Sequence, residues 1–332
     1  MMLKSMYILV RYAEISLKGK NKPFFEKKLT ENIKECLKKS KIPYTNIKIL
    51  PGRILIKIDE SLTYAENEKS GVGNCNQYNI YDVQRYMCLK TVFGVQDFGI
   101  AYFIPGSMEK IKEMFTSIVE GMEQFQNAKT FRITSKRIHK SLPFTSMEAD
   151  KAIGAFVAIA FGKKVQLKEP DIEIEIEFTA KGSYILFNRI KCFAGLPVTS
   201  QGKVFSLIED NISDKYMEKS LLASILMMKT GCEIIPLVIN NNIDLSLLEV
   251  YAYGFKISPI ILNASIKDIC NDDSNLMFKE LSELHNVNVL ITGQTMDRLH
   301  QISELTNLNP LIAFNEEEIK EKLEVFKNAC LY

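Results

Sequence analysis

The chain has 332 residues, 46% of them apolar and 25% charged, with a formal net charge of +2. That length supports two or three domains, each with its own core, and the composition is that of an ordinary soluble globular protein. No apolar run approaches the roughly 18 residues of a membrane-spanning helix, and the opening MMLKSMYILVRYAE lacks the long apolar stretch and small-residue cleavage site of a secretory leader.

Cysteines at 36, 75, 88, 192, 232, 270 and 330 form no CxxC pair and are odd in number. This argues against a disulfide scaffold or a paired-cysteine zinc site and for a reducing, cytoplasmic setting. Most lie in apolar contexts and read as buried small hydrophobes, with Cys330 expected to be the most exposed. The three histidines are scattered, so no metal site is expected. Charge is uneven: net +8 over residues 1–60, +3 over 61–203 and −9 over 204–332. A polyanion would therefore be held by the front of the chain.

MYILVRY (6–12) reads as a strand. Asn21 is expected to cap a helix with Pro23 in its first turn, and Phe25, Leu29, Ile33 and Leu37 form one apolar stripe along it. Lys27, Lys28, Lys34, Lys38 and Lys39 fall off that stripe. NIKILPGRILIKID (46–59) reads as two strands around Pro51-Gly52, completing a small α/β unit, and 62–80 reads as a polar loop. A second α/β unit runs from about 81 to 190. In it, Ala149, Ile153, Phe156, Val157, Ala160 and Phe161 share a broad helical face. IEIEIEF (172–178) alternates with its isoleucines and Phe178 inward and its glutamates outward, and YILFNRI (184–190) is a partner strand. In FRITSKRI (131–138), Arg132, Thr134 and Lys136 share one face and Arg137 takes the other.

After Gly195-Leu196-Pro197 the pattern becomes βαβ. KVFSLI (203–208), EIIPLVI (233–239), SPIILNA (258–264) and VNVLIT (287–292) suit buried parallel strands, separated by helices near 216–229, 244–254, 274–285 and 316–327. This implies a Rossmann-like doubly wound sheet, whose ligands bind at the carboxyl ends of the strands. Its first strand-to-helix turn, the usual phosphate cradle, reads Glu209-Asp210-Asn211-Ile212-Ser213-Asp214 and contains no glycine. Its carboxylates would each repel a triphosphate by about 1 kcal/mol. The cluster Glu209, Asp210 and Asp214 reads as dipole-stabilising residues at a helix start, with a divalent cation site as the alternative. Ser213 or Asp214 is a candidate cap for the helix that follows.

Arg11, Glu14, Lys18, Lys20 and Lys22 suit phosphate contacts or a solvated loop. Arg132, Lys136, Arg137, His139 and Lys140 form a second basic cluster, which could track a nucleic-acid backbone or protect a strand edge. His139 reads as a surface residue. No catalytic Ser-His-Asp or paired-carboxylate arrangement is identified by spacing.

ILVRYAEISLKGKNKPFFEKKLTENI (8–33) resembles the amino-terminal signature of the tRNA 4-thiouridine synthetase (tRNA sulfurtransferase, ThiI) family, with Ala13 where the family has glycine. FRITSKRIHKSLPFTSMEADKAIG (131–154), EPDIEIEIEF and FAGLPV are similar to that family's THUMP domain and its exit. The resemblance implies a ferredoxin-like domain (1–75), a THUMP domain (76–192) and a PP-loop-type nucleotide domain (193–332). It implies tRNA as partner, with Arg11, Lys18, Lys20, Lys22, Arg132, Lys136, Arg137 and Lys140 as contacts. It also implies a second protein of sulfur transfer or tRNA modification, and a homodimer. Around the PP-loop, GKVFSLI and LLASILMMKTGCEI match the flanks, but EDNISDKYMEKS replaces the glycine-containing SGGxDS and is longer. By family match, ATP with Mg2+ would fall to Leu207, Ile208, Thr292 and Gly293. Asn309 replaces an arginine, and the segment after ITG (291–293), Met296 to Ser303, matches poorly. The RRxM segment before ITG and the family's sulfur-carrying cysteine are absent from the sequence. Three readings follow: a tRNA-binding relative without nucleotide chemistry, an active sulfurtransferase using an external sulfur donor, and a protein-interaction scaffold.

Overall fold

Strand pairing in the chain follows the apolar alternation closely, as a computed structural model shows for residues 5–58, 83–139, 142–187, 189–209, 215–239, 243–262, 272–293, 309–310 and 316–330. In chain order the strands are β1 Ser5–Arg11, β2 Tyr44–Leu50, β3 Arg53–Ile58, β4 Asp97–Pro105, β5 Thr130–Arg137, β6 Lys164–Val165, β7 Ile172–Thr179, β8 Gly182–Phe187, β9 Ile190–Lys191, β10 Gly202–Glu209, β11 Cys232–Ile239, β12 Ile260–Leu262, β13 Val289–Thr292 and β14 Asn309–Pro310. The helices are α1 Lys22–Lys39, α2 Met108–Val119, α3 Glu123–Asn127, α4 Ser146–Phe161, α5 Lys215–Lys229, α6 Ser246–Tyr251, α7 Asp272–His285 and α8 Glu316–Ala329. The chain divides into two compact units: residues 1–11, 43–83 and 97–191, and residues 12–42, 84–96 and 192–332.

The first unit is built on a nine-stranded sheet of order β2-β3-β1-β4-β8-β7-β5-β6, with β9 paired to β4. β1 lies antiparallel between β3 and β4, whereas β5 runs parallel to β7. The β7–β8 turn brings Gly182 (φ +145°) against β4, where a Cβ would collide with the Ile104 carbonyl oxygen, so only glycine fits this approach. Helix α4 begins with a capping box, Thr145 accepting from the Glu148 N–H while the Glu148 carboxylate accepts from the Thr145 N–H. Ala149, Ile153 and Val157 on it are buried, and Phe156 and Phe161 join Phe115, Phe125 and Phe187 in an aromatic cluster. Ala160, expected on the same buried face, is exposed in the last turn: periodicity gives a direction, not something to pack against.

The isoleucines of β7 point inward as expected, but its glutamates are not a solvated face. Glu177 is 1% exposed and lies 2.6 Å from Arg11 Nη2 and 2.8 Å from Arg53 Nη1. Glu175 pairs with Arg11 and Arg189, and Arg189 also meets Asp97. Alternation predicted the two faces correctly; what it missed is that the second face is covered as well, so its charges are matched internally.

The second unit holds a five-stranded, wholly parallel sheet of order β12-β11-β10-β13-β14. Its central strands β10 and β11 are buried on both faces. Val204 and Ile208 of β10 enter one core with Leu222, Ile225 and Phe326, while Phe205 and Leu207 enter the other with Leu237, Phe278 and Leu290. Helix α1 belongs to this unit, not with the strands beside it in sequence. Its stripe Phe25, Leu29, Ile33 and Leu37 is buried, as is Asn32, which donates to the Val198 carbonyl at 3.3 Å. Asn21 stands at the helix entry but makes no capping hydrogen bond. A 3-10 turn, Gly19–Asn21, runs directly into α1 and holds Asn21 in helical geometry, whereas a capping side chain needs extended backbone. The predicted loop 62–80 lies outside the described residues. So do Cys75, Cys270 and most of the glycine-free connection after β10.

Candidate functional site

In the parallel sheet, β10 connects through α5 to β11 on one side and is flanked by β13 on the other, so the chain reverses its winding between β10 and β13. Such a switch point opens a crevice at the carboxyl ends of the strands. Here those ends are Glu209 and Thr292-Gly293. Leu207 and Ile208 send their side chains into opposite cores, so only their backbone could meet a ligand. Thr292 is 1% exposed. Gly293 abuts α5: a Cβ there would lie 2.5 Å from the Ser220 nitrogen and 2.7 Å from the Lys219 carbonyl carbon. Lys219 and Ser220 are buried, and the Ser220 hydroxyl has no hydrogen-bond partner among the described residues. Behind them Ser224 donates to the Ser220 carbonyl at 2.7 Å and lies 2.6 Å from the Ser206 hydroxyl on β10. Sequence reading did not single out Lys219 or Ser220. Their signal was two polar residues heading an otherwise apolar helical stretch, SLLASILMM.

The predicted phosphate contacts fall into distinct environments. In the second unit, Lys20 is exposed and in no ion pair among the described residues. Lys18 sits 5.0 Å from the Phe25 ring centroid, and Lys22 is 3.6 Å from Glu26 and 5.8 Å from the Tyr12 ring. Leu17 and Phe24, at 85% and 51% exposure, stand among these lysines. The apolar stripe explains neither, and an exposed ring amid cations suits base stacking.

In the first unit, Lys136 is exposed on β5 and in no ion pair among the described residues. Arg132 beside it is 2.7 Å from Glu173 and donates to the Leu167 carbonyl at 2.9 Å. Arg137 donates to the Phe144 carbonyl at 2.6 Å and the Leu142 carbonyl at 3.3 Å, tying down the segment before α4. Arg11 is held by Glu175 and Glu177 within the covered face. His139 is exposed, and Lys140 lies outside the described residues. Among the described residues no group of three or more His, Cys, Asp or Glu is arranged to hold a metal ion, and no helix is long and apolar enough to cross a membrane. Asp210, Ser213 and Asp214 fall outside that set. Cys330, expected to be the most exposed thiol, is half-buried against Tyr251, as α8 carries it back onto the core.

Residues 7–70 match the ThiI ferredoxin-like domain and residues 105–188 the THUMP domain. A probable tRNA sulfurtransferase of Oceanobacillus iheyensis is 28% identical over 95% of this chain and 80% of its own length. One from Methanocaldococcus jannaschii is 27% identical over 96% and 87%. The chain is thus similar to the ThiI family along almost its whole length. Its fold agrees: the crystal structure of PH1313 from Pyrococcus horikoshii superposes with a TM-score of 0.73 at 26% identity, covering 97% of this chain and 99% of that one. A 4-thiouridine synthetase, solved as an RNA complex with bound ATP, gives 0.71 at 23% identity over 98% and 86%. The mixed α/β architecture matches that 4-thiouridine synthetase fold: a ferredoxin-like domain, a THUMP domain and a sheet of parallel strands.

Proposed function

We propose that this THUMP protein binds tRNA through its basic surfaces and serves tRNA thiolation as an auxiliary that has lost the nucleotide chemistry of its relatives. Lys20 and Lys136 carry the RNA half of this reading, since both present an exposed cation, unpaired among the described residues, on segments matched by the two family domains. Phosphate contacts and groove shape, not base edges, are how a helical RNA stem is gripped. The relatives named as tRNA sulfurtransferases supply the substrate class. The nucleotide half rests on the connection after β10, which has no glycine and carries Glu209, Asp210 and Asp214. The backbone of α5 at Gly293 also occupies the space beside the strand end. Loss of a site with retention of its fold is expected, because buried strands answer to packing.

A second reading, an active sulfurtransferase taking ATP with Mg2+ and an outside sulfur donor, is favoured by one observation. Lys219 and the Ser220 hydroxyl, which has no partner among the described residues, are buried beside Thr292-Gly293, where a phosphate would find a cation and a donor.

Titrating the chain with a tRNA transcript at several salt concentrations, and with ATP and magnesium by calorimetry, separates these readings. The expected result is steeply salt-dependent tRNA binding without ATP binding. Lys20→Glu and Lys136→Glu should each lower the log–log salt slope by about 0.7–0.9. ATP binding abolished by Lys219→Met would instead establish the second reading. Indifference to tRNA would overturn both and leave the scaffold reading.

A further inference from the structure

The second unit contains a pair of thiols that its proposed RNA function does not use. Cys36 lies on α1, fully buried, and Cys88 lies half-buried on the 3-10 helix Val83–Thr91. The Cys36 sulfur donates to the Cys88 carbonyl oxygen at 3.4 Å, which sets the two cysteines side by side. The frame around them is fixed. Thr91 donates to the same carbonyl at 2.8 Å, which leaves the Tyr253 hydroxyl, 2.6 Å away, to donate to Thr91. Lys39 donates to the Ala252 carbonyl at 3.2 Å and stands 4.9 Å from the Tyr253 ring centroid. We propose that Cys88 and Cys36 form a peroxide-oxidisable dithiol, with Cys88 the attacking sulfur and Cys36 the resolving one.

The environment separates the two roles. The neighbouring Cys36 thiol, helped by the Ser40 side chain and backbone N–H groups and opposed by burial, holds the Cys88 thiol below its ordinary value. The same proximity, with burial, pushes the Cys36 thiol up. Burial also raises the thiols of Cys232 and Cys330. A partly accessible cysteine with stabilised thiolate beside a fully buried second thiol is the arrangement of redox-responsive cysteine pairs. The Cys88 thiolate attacks one oxygen of a hydroperoxide and the O–O bond breaks. The departing hydroxide or alkoxide takes a proton, and Cys88 is left as a sulfenic acid. Cys36 then loses its proton as its sulfur attacks Cys88. The S–O bond breaks, and hydroxide leaves with that proton as water. Two electrons pass from two thiols to one peroxide, and α1 becomes covalently tied to the 3-10 helix.

The test uses the full reduced chain treated with hydrogen peroxide, alkylated, digested and examined by mass spectrometry. A linked Cys36–Cys88 peptide pair, lighter by two hydrogens and released by dithiothreitol, is expected. Cys36→Ser should strand the sulfenic acid, which dimedone captures at Cys88, while Cys88→Ser should give neither the link nor capture at Cys36. Absence of the linked peptide from the unmutated chain, or dimedone capture no faster at Cys88 than at Cys330, would overturn the proposal. The unmutated chain decides the first point even where a variant folds poorly.

Discussion

Glu177→Gln keeps the side-chain shape and removes one charge from the covered face of the first unit. The carboxylate lies 2.6 Å from Arg11 and 2.8 Å from Arg53. At an effective dielectric of about 20, each pair is attracted by about 6 kcal/mol. Desolvation offsets much of that, at several kcal/mol per ion. The partners then respond differently. Arg11 keeps Glu175 at 3.3 Å, whereas Arg53, whose side chain is only 4% exposed, has no other ion pair among the described residues. The Arg53 contact with Glu177 is close but not aligned as a hydrogen bond, so its strength is chiefly Coulombic and should vanish with the charge. Leaving Arg53 unpaired should cost about 3–5 kcal/mol. Urea unfolding followed by circular dichroism measures this as a lowered midpoint of the first unit's transition. Adding Arg53→Met to Glu177→Leu should recover most of the loss, because the orphaned cation leaves with its partner. A Glu177→Gln chain within about 1 kcal/mol of the parent would refute the argument, since that is the range of solvent-exposed pairs.

Gly293→Ala places a methyl 2.5 Å from the Ser220 nitrogen, which is backbone and cannot swing away, so about 1–3 kcal/mol of stability should be lost, read as a lowered urea midpoint of the second unit. Thr145→Ala removes the acceptor for the Glu148 N–H and should cost about 1 kcal/mol, visible as faster amide exchange in the first turn of α4. Asp171 accepts the Thr130 N–H at 2.8 Å and the Lys129 N–H at 2.9 Å, and these bonds hold its carboxyl below the ordinary value. Its contribution is complete above the unfolded value and is lost as pH falls through the depressed folded one. An acid titration of stability should therefore flatten in that window on Asp171→Asn.

Much of the fold was legible because it rests on periodicity. The four-residue spacing of Phe25, Leu29, Ile33 and Leu37, and the continuous apolar runs of β10 and β11, leave few alternatives for which surface is buried. Long-range partnership was not legible. Nothing local to IEIEIEF distinguishes glutamates facing water from glutamates facing Arg11 and Arg53, which arrive from β1 and β3, more than a hundred residues earlier. For the same reason Arg11, Arg132 and Arg137 read as surface cations from sequence, while the fold commits each to an internal carboxylate or carbonyl. The family motifs point to the strand end at Thr292-Gly293. That Lys219 and Ser220 of α5 press against it is a tertiary fact with only a weak trace in the sequence.

The serines beneath α5 have a consequence for how this chain tolerates change. Ser206 on the strand and Ser224 on the helix meet hydroxyl to hydroxyl, and Ser224 also grips the Ser220 carbonyl. Methyl-on-methyl packing would let a helix slide along its axis at modest cost. The hydroxyl pair acts like a ratchet pawl, because a shift by one residue breaks the Ser206–Ser224 bond inside a dry interior while the Ser220 carbonyl bond, internal to the helix, travels with it. The seat of α5 is thus fixed from behind, independently of the connection that leads into it from β10. Insertions and exchanges in that connection leave the helix where it stands, so the first crossover of the sheet can be rewritten in length and chemistry while the scaffold around it stays in register.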